Sequence, residues 1–213
     1  MSISVIDYGS GNLKSAAKAL ETAAKNLNFD LKITVTSDPK TIKESEKIIL
    51  PGQGSFRDCF LGIKKIPGLE DTLNEFVMVK KKPIFGICVG MQLFAKTGFE
   101  SQETKGFGWI NAEVRKINNI NKTLKIPHMG WNQIEFKKDC ALFYNLKNKP
   151  HMYFIHSYEL ITKEKNLIVA TTNYGNSIVV AVEKENIFGT QFHPEKSQKN
   201  GLIILENFLK GEH

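Results

Sequence analysis

Ile84-Phe85-Gly86-Ile87-Cys88-Val89-Gly90-Met91-Gln92 is the stretch whose reading decides the fold. The run Pro83–Cys88 is apolar throughout, as strands covered on both faces of a parallel sheet are. It leads into G-x-C-x-G, and a helix is expected over Val89–Ala95. A buried strand, a tight turn and then a helix is the setting of a nucleophile elbow, here with cysteine in place of serine. Small residues flank the nucleophile because larger side chains would collide on so sharp a turn. The N-terminus of the following helix favours the thiolate, which is the reactive form of cysteine. Taken alone, Cys88 also reads as a small apolar residue at the end of a buried strand.

Outward from the elbow, strands and helices alternate. Ile3–Asp7 reads as a strand that ends at Gly9-Ser10-Gly11. Leu13, Ala16, Ala17, Leu20, Ala23, Ala24 and Leu27 then recur with helical spacing. Leu31–Thr36 and Lys47–Leu50 read as strands, the second stopped by Pro51-Gly52-Gln53-Gly54, and Leu69–Val79 suits a helix. This alternation implies βαβ units and a mainly parallel sheet. Beyond it lie short strand-like runs: Ile110–Ile117, Trp131–Phe136, Tyr153–His156, Leu167–Thr172, Ile178–Glu183 and Ile187–Phe192. They imply antiparallel additions. Gly201–Lys210 closes the chain as a helix with Leu202, Leu205 and Leu209 on one face. With no repeat or linker visible, residues 1–213 are expected to form one α/β domain. Its central, mainly parallel sheet is flanked by helices, with further antiparallel strands in the C-terminal half.

Composition narrows the function. The chain has 213 residues, 41% of them hydrophobic, with 16 Gly and 7 Pro, which excludes disordered and collagen-like classes. No apolar run approaches the ~18 residues of a membrane span, and no basic n-region or long h-region opens the sequence. Three cysteines, Cys59, Cys88 and Cys140, are too few and too far apart for a disulfide framework or a zinc site. Their odd number points to a reducing compartment, and a cytoplasmic location is expected. The net charge is +7, yet only Arg57 and Arg115 are arginine and the lysines are scattered. That pattern reads as a solvated surface and not as a nucleic-acid face. Gly9-Ser10-Gly11 lacks the third glycine of a dinucleotide fingerprint, since position 14 is Lys14.

A nucleophilic cysteine needs a base steadied by a third group. Gln191-Phe192-His193-Pro194-Glu195 offers both. Pro194 holds His193 in an extended conformation, and residues two apart in an extended segment point the same way. The Glu195 carboxylate is thus expected beside the His193 ring, as the acidic member of a triad. His128 and His156 have no acid two residues on, and His151 and His213 read as surface residues. Gly52, in the loop after a neighbouring strand, and Val89 are expected to offer backbone N–H groups to an oxyanion. By itself Pro51-Gly52-Gln53-Gly54 also reads as an ordinary turn.

Together these motifs resemble those of the triad glutamine amidotransferases, most closely the glutaminase subunits of imidazole glycerol phosphate synthases. The resemblance spans nearly the whole chain. It is carried by Ile6-Asp7-Tyr8-Gly9-Ser10-Gly11-Asn12-Leu13, by the elbow, by Pro127-His128-Met129-Gly130-Trp131-Asn132, by Tyr153-Phe154-Ile155-His156-Ser157-Tyr158 and by Gly189–Gln198. It implies Cys88, His193 and Glu195 as the catalytic triad, with Gly52 and Val89 as oxyanion donors. It further implies Gln92, Glu100, Ser157 and Tyr158 as the residues that hold L-glutamine. Asn12, Trp131, Tyr153 and Lys196 would face a (β/α)8-barrel cyclase subunit that receives the ammonia. No metal or organic cofactor is implied. Gln53 departs from the resemblance, because a small aliphatic residue usually stands between those glycines. Three alternatives stay open: a related glutaminase serving another acceptor such as a modified-sugar pathway, a cysteine hydrolase or peptidase, and a non-catalytic scaffold.

Overall fold

Four strands from the first half of the chain lie side by side in parallel: β1 (Ser2–Ile6), β2 (Lys32–Thr36), β3 (Lys47–Gly52) and β4 (Ile84–Cys88). They belong to a computed structural model that describes residues 1–118 and 124–211. Every residue of β3 and β4 is buried, which explains their apolar sequence after Lys47, whose ammonium donates to Phe208 O at 2.8 Å. Helices α1 (Leu13–Asn26), α2 (Pro39–Glu44), α3 (Phe56–Lys65), α4 (Leu69–Asn74) and α5 (Val89–Gln92) connect and flank them. Side chains of Asn12, Asp38 and Ser55 accept from backbone N–H groups at the starts of α1, α2 and α3. The apolar stripe of α1 buries Ala16, Leu20, Ala23 and Ala24.

The rest of the chain supplies β5 (Thr97–Glu100), β6 (Gln102–Lys105), β7 (Ala112–Lys116), β8 (His128–Gln133), β9 (Glu135–Phe136), β10 (His151–His156), β11 (Tyr158–Thr162), β12 (Ile168–Asn173), β13 (Ser177–Lys184) and β14 (Ile187–Thr190), and α6 (Gln198–Lys210). The main sheet runs β2-β1-β3-β4-β14-β13-β11-β7-β5-β6, with β12 and β9 attached beside β13. From β2 to β14 neighbours are parallel, and β13 and β11 then add antiparallel. This is the expected α/β class. Strands β8 and β10 form an antiparallel pair of their own.

Several elements differ from the sequence reading. Helix α3 occupies a stretch to which no element was assigned. The helix expected over Leu69–Val79 is α-helical only to Asn74, and Glu75–Val79 widens into a π turn. There the Val77 carbonyl accepts from Asn186 Nδ2 at 2.9 Å, while Lys80 N reaches Glu75 O at 2.9 Å. Helix α5 is a single turn that stops at Gln92, short of Ala95. The run Trp131–Phe136 belongs to two strands in different sheets, β8 and β9. His213 lies outside the described residues. No helix among the described residues is long and apolar enough to cross a membrane.

Candidate active site

Strand β4 lies between β3 and β14, and its last residue, Cys88, pairs with Gly52 of β3. Cys88 has φ 56° and ψ −113°, a conformation that non-glycine residues adopt only under strain. The bend brings backbone against backbone. A Cβ on Gly90 would stand 1.8 Å from Leu50 O, and one on Gly52 would stand 2.5 Å from Gly90 N. The elbow and the Pro51–Gly54 loop are thereby interlocked.

The loop is held from its far side as well. Tyr8 Oη donates to Pro51 O at 2.5 Å. Ser10 Oγ donates to Gln53 O and accepts from Gln53 N at 3.2 Å, and Cys59 Sγ lies 3.4 Å from the same Gln53 carbonyl. Gly9-Ser10-Gly11, which superficially suggests a nucleotide loop, therefore packs under the elbow's neighbour.

His193 follows β14 and is extended, at φ −100° and ψ 98°. Glu195 sits in a short 3-10 turn over Pro194–Lys196, so the extended segment expected to carry both residues ends at the histidine. The carboxylate still reaches the ring: Nδ1 lies 2.8 Å from Glu195 Oε1, with both side chains buried. The turn is pinned to β10, since His193 N donates to Tyr153 O at 3.0 Å. Ser197 Oγ also donates to His193 O at 2.7 Å and accepts from Tyr153 N at 3.0 Å. Nε2 of His193 is buried without a hydrogen-bond partner. Burial alone would push the His193 pKa down. Interaction with Cys88 and with the Glu195 carboxylate outweighs it and raises the value to about 10. The ring therefore carries its proton at neutral pH.

Cys88, Val89 and His193 open on one cavity of about 280 Å³, near the low end for small-molecule sites. Gln92, Glu100, Ser157, Tyr158 and Lys196 also line it. Glu195 stands behind His193, and Gly52 lies beneath the wall as the partner of Cys88. Glu100 Oε2 accepts from Phe56 N at 2.7 Å, closing the first turn of α3. Burial and then the Glu100 charge raise the Tyr158 pKa. On β8, outside the cavity lining, Trp131 is 46% exposed and Met129 59%. Trp131 meets Tyr153 edge to face at 5.9 Å, and Lys196 Nζ lies 5.8 Å from the Tyr153 ring. Asn12 is engaged in capping α1, accepting from Ser15 N at 3.3 Å.

The family model for class-I glutamine amidotransferases matches residues 4–211. The chain belongs to that family. The imidazole glycerol phosphate synthase subunit HisH of Pelagibacter ubique (strain HTCC1062) is 53% identical over 209 residues, covering 98% of this chain and 99% of the relative. The protein of that name from Bradyrhizobium diazoefficiens is 46% identical over 213 residues, covering 99% of each. A solved structure described as a glutamine amidotransferase shares the fold with a TM-score of 0.70 at 20% identity, covering 96% of this chain and 97% of that one.

In this amidotransferase several residues at the site went unassigned in the sequence reading. Gln53, Gly54, Pro127, Ile155 and His156 also line the cavity. Gln191 Nε2 lies 3.6 Å from Cys88 Sγ, and Ile155 O lies 3.9 Å from it. The signal for Gln191 was present, since it precedes His193 by two on an extended strand end and so shares its side. His128 and His156 form a buried pair, Nδ1 to Nε2, at 2.9 Å. Burial lowers His128 to about 4 and, against the opposing hydrogen bond to Tyr158 O, His156 to about 3. Both rings are neutral at physiological pH.

Proposed function

We propose that this chain is the glutaminase subunit of an imidazole glycerol phosphate synthase, hydrolysing L-glutamine through Cys88, His193 and Glu195. The observation that carries this reading is the convergence of Cys88 and His193 on one cavity, with Glu195 Oε1 2.8 Å behind the imidazole. The relatives named HisH support the histidine-pathway assignment over another ammonia acceptor. The whole chain acts as one amidotransferase domain, a cytoplasmic enzyme whose free thiols suit a reducing compartment.

The Cys88 thiolate attacks the carboxamide carbon of glutamine. The tetrahedral oxyanion forms against the backbone N–H groups of Gly52 and Val89. His193, protonated and oriented by Glu195, gives its proton to the departing nitrogen, and ammonia leaves. Water deprotonated by His193 then attacks the γ-glutamyl thioester, releasing glutamate and returning the proton to the imidazole and the thiolate to Cys88. Gln92, Glu100, Ser157 and Tyr158 hold the amino-acid end of the substrate. Trp131, Tyr153, Lys196 and Asn12 face the (β/α)8-barrel cyclase subunit, which receives the ammonia. Trp131, exposed on β8 and edge to face with Tyr153, suits an interface anchor.

Cys88→Ala tests the reading. In the complex with the cyclase, glutamine-dependent synthesis should vanish while synthesis from free ammonium persists. Retained glutamine turnover in Cys88→Ala would refute the assignment.

A further inference from the structure

Around the elbow runs a chain of hydrogen bonds whose directions are set by one group, the Tyr158 carbonyl, which can only accept. Gln92 Nε2 lies 3.1 Å from that oxygen and 2.9 Å from Gln191 Oε1. Both Gln92 amide hydrogens are thereby committed, since the flipped amide would set oxygen against oxygen. Gln191 presents Oε1 to Gln92 and is left with Nε2 toward Cys88 Sγ, at 3.6 Å. The same carbonyl fixes the histidine pair. His156 Nδ1, 2.9 Å from Tyr158 O, carries a hydrogen. His156 Nε2 then accepts from His128 Nδ1, and His128 Nε2 accepts from Asn132 Nδ2 at 3.2 Å.

Gln191 is fully buried and lies outside the cavity wall. Phe192, between it and His193, turns to the core and meets Phe154 edge to face at 5.8 Å. The alternation along Gln191-Phe192-His193 thus delivers an amide and an imidazole to one sulfur. A protonated Cys88 has an acceptor of its own in Ile155 O at 3.9 Å. The Gln191 N–H favours the other state, because a donor aimed at an ionisable group stabilises its charged form.

We propose that Gln191 is a positioning residue for the nucleophile, its N–H aimed by Gln92 so as to hold the Cys88 sulfur as a thiolate. This rests on Cys88 being the nucleophile. The role is distinct from that of His193, which also moves protons.

The test is the pH dependence of Cys88 alkylation by iodoacetamide in the full-length chain, followed by mass spectrometry of the Cys88 peptide. Gln191→Met keeps length and removes the donor. Losing a donor to the charged sulfur removes stabilisation of the thiolate alone, so the midpoint should rise by about one pH unit or more. Gln191→Glu keeps an oxygen for Gln92 and sets a second oxygen against the sulfur, so its midpoint should rise further. It also carries the test if the methionine variant does not fold. The other ionisable groups near the sulfur stay the same in both: His193, Glu195 and Lys196 after β14, Glu100 on β5, His156 and Tyr158 on β10 and β11, and Tyr8 and Cys59 beneath the loop. His193→Asn is measured alongside. Unchanged midpoints in the Gln191 variants, with His193→Asn shifted, overturn this inference and leave the triad intact. An unshifted His193→Asn removes the triad reading and this inference with it.

Discussion

Replacing Gly90 by alanine probes the contact on which the elbow is built. The new Cβ would lie 1.8 Å from Leu50 O and 2.9 Å from Leu50 C, atoms of a buried strand with neighbours on both sides. Reaching even a 3.0 Å approach requires a displacement of about 1.2 Å, and misplacement by about 1 Å costs on the order of 10²-fold in rate. Neither side yields easily, because Leu50 is locked in the parallel block and Cys88 is already strained. Overpacking of this kind costs about 1–3 kcal/mol. Gly90→Ala should therefore lower the urea midpoint and cut glutamine turnover, measured as glutamate release in the complex, by about 10²-fold or more. Gly9→Ala is the control. Its Cβ meets nothing within 4 Å and its φ is 82°, so it carries the backbone strain alone, about 1–2 kcal/mol, and leaves Cys88 in place. If Gly90→Ala kept its urea midpoint and turned over within about threefold of wild type, far inside the ~10²-fold loss, the interlock would not govern the site.

Glu195→Gln should lower kcat by about 10³–10⁴-fold with little change in KM, because an amide facing Nδ1 favours the wrong tautomer; a loss below tenfold would contradict the orienting role. Acid should weaken the fold through the buried histidines. His156, lowered to about 3 from 6.5, is neutral when folded. Its contribution is complete above pH 6.5 and is lost as pH falls toward 3, about 2 kcal/mol by pH 5. His128, lowered to about 4, adds a smaller loss after solvent screening. His193 runs the other way: its pKa is raised, so its stabilisation is complete below 6.5 and is lost as pH rises through about 10. Urea unfolding should show falling stability from pH 6.5 to 5, with a flatter profile in a His128→Gln/His156→Gln variant. Equal slopes would count against the neutral pair.

The parts of the fold legible from sequence were those governed by local pattern. β1, α1, β3 and β4 announce themselves by apolar runs and helical spacing, and the elbow by its two glycines. Helix α3 was missed although Phe56, Cys59, Phe60 and Ile63 have helical spacing and are buried. Gly62 interrupts the signal, and its reason is tertiary: a Cβ there would lie 2.5 Å from Tyr8 O. The β5–β6 hairpin carries Glu103 and Lys105 among its few residues and gives no apolar alternation to read. The separation of β8 from β9 depends on which strands they meet, and no local spacing encodes it. At the site, His193 and Glu195 were readable because Pro194 constrains the chain between them. The spacing to His193 put Gln191 on the same side, but its aim and the histidine pair were not readable, because both depend on hydrogen-bond directions that run through a carbonyl from a different strand.

Glu100 has one oxygen on the first turn of α3 while its carboxylate borders the cavity. A cationic guest that drew on that carboxylate would compete with the Phe56 amide for it. Occupancy would then be registered at a distance, as quicker hydrogen exchange where α3 begins, and the helix would serve as a gauge of whether the chamber is filled.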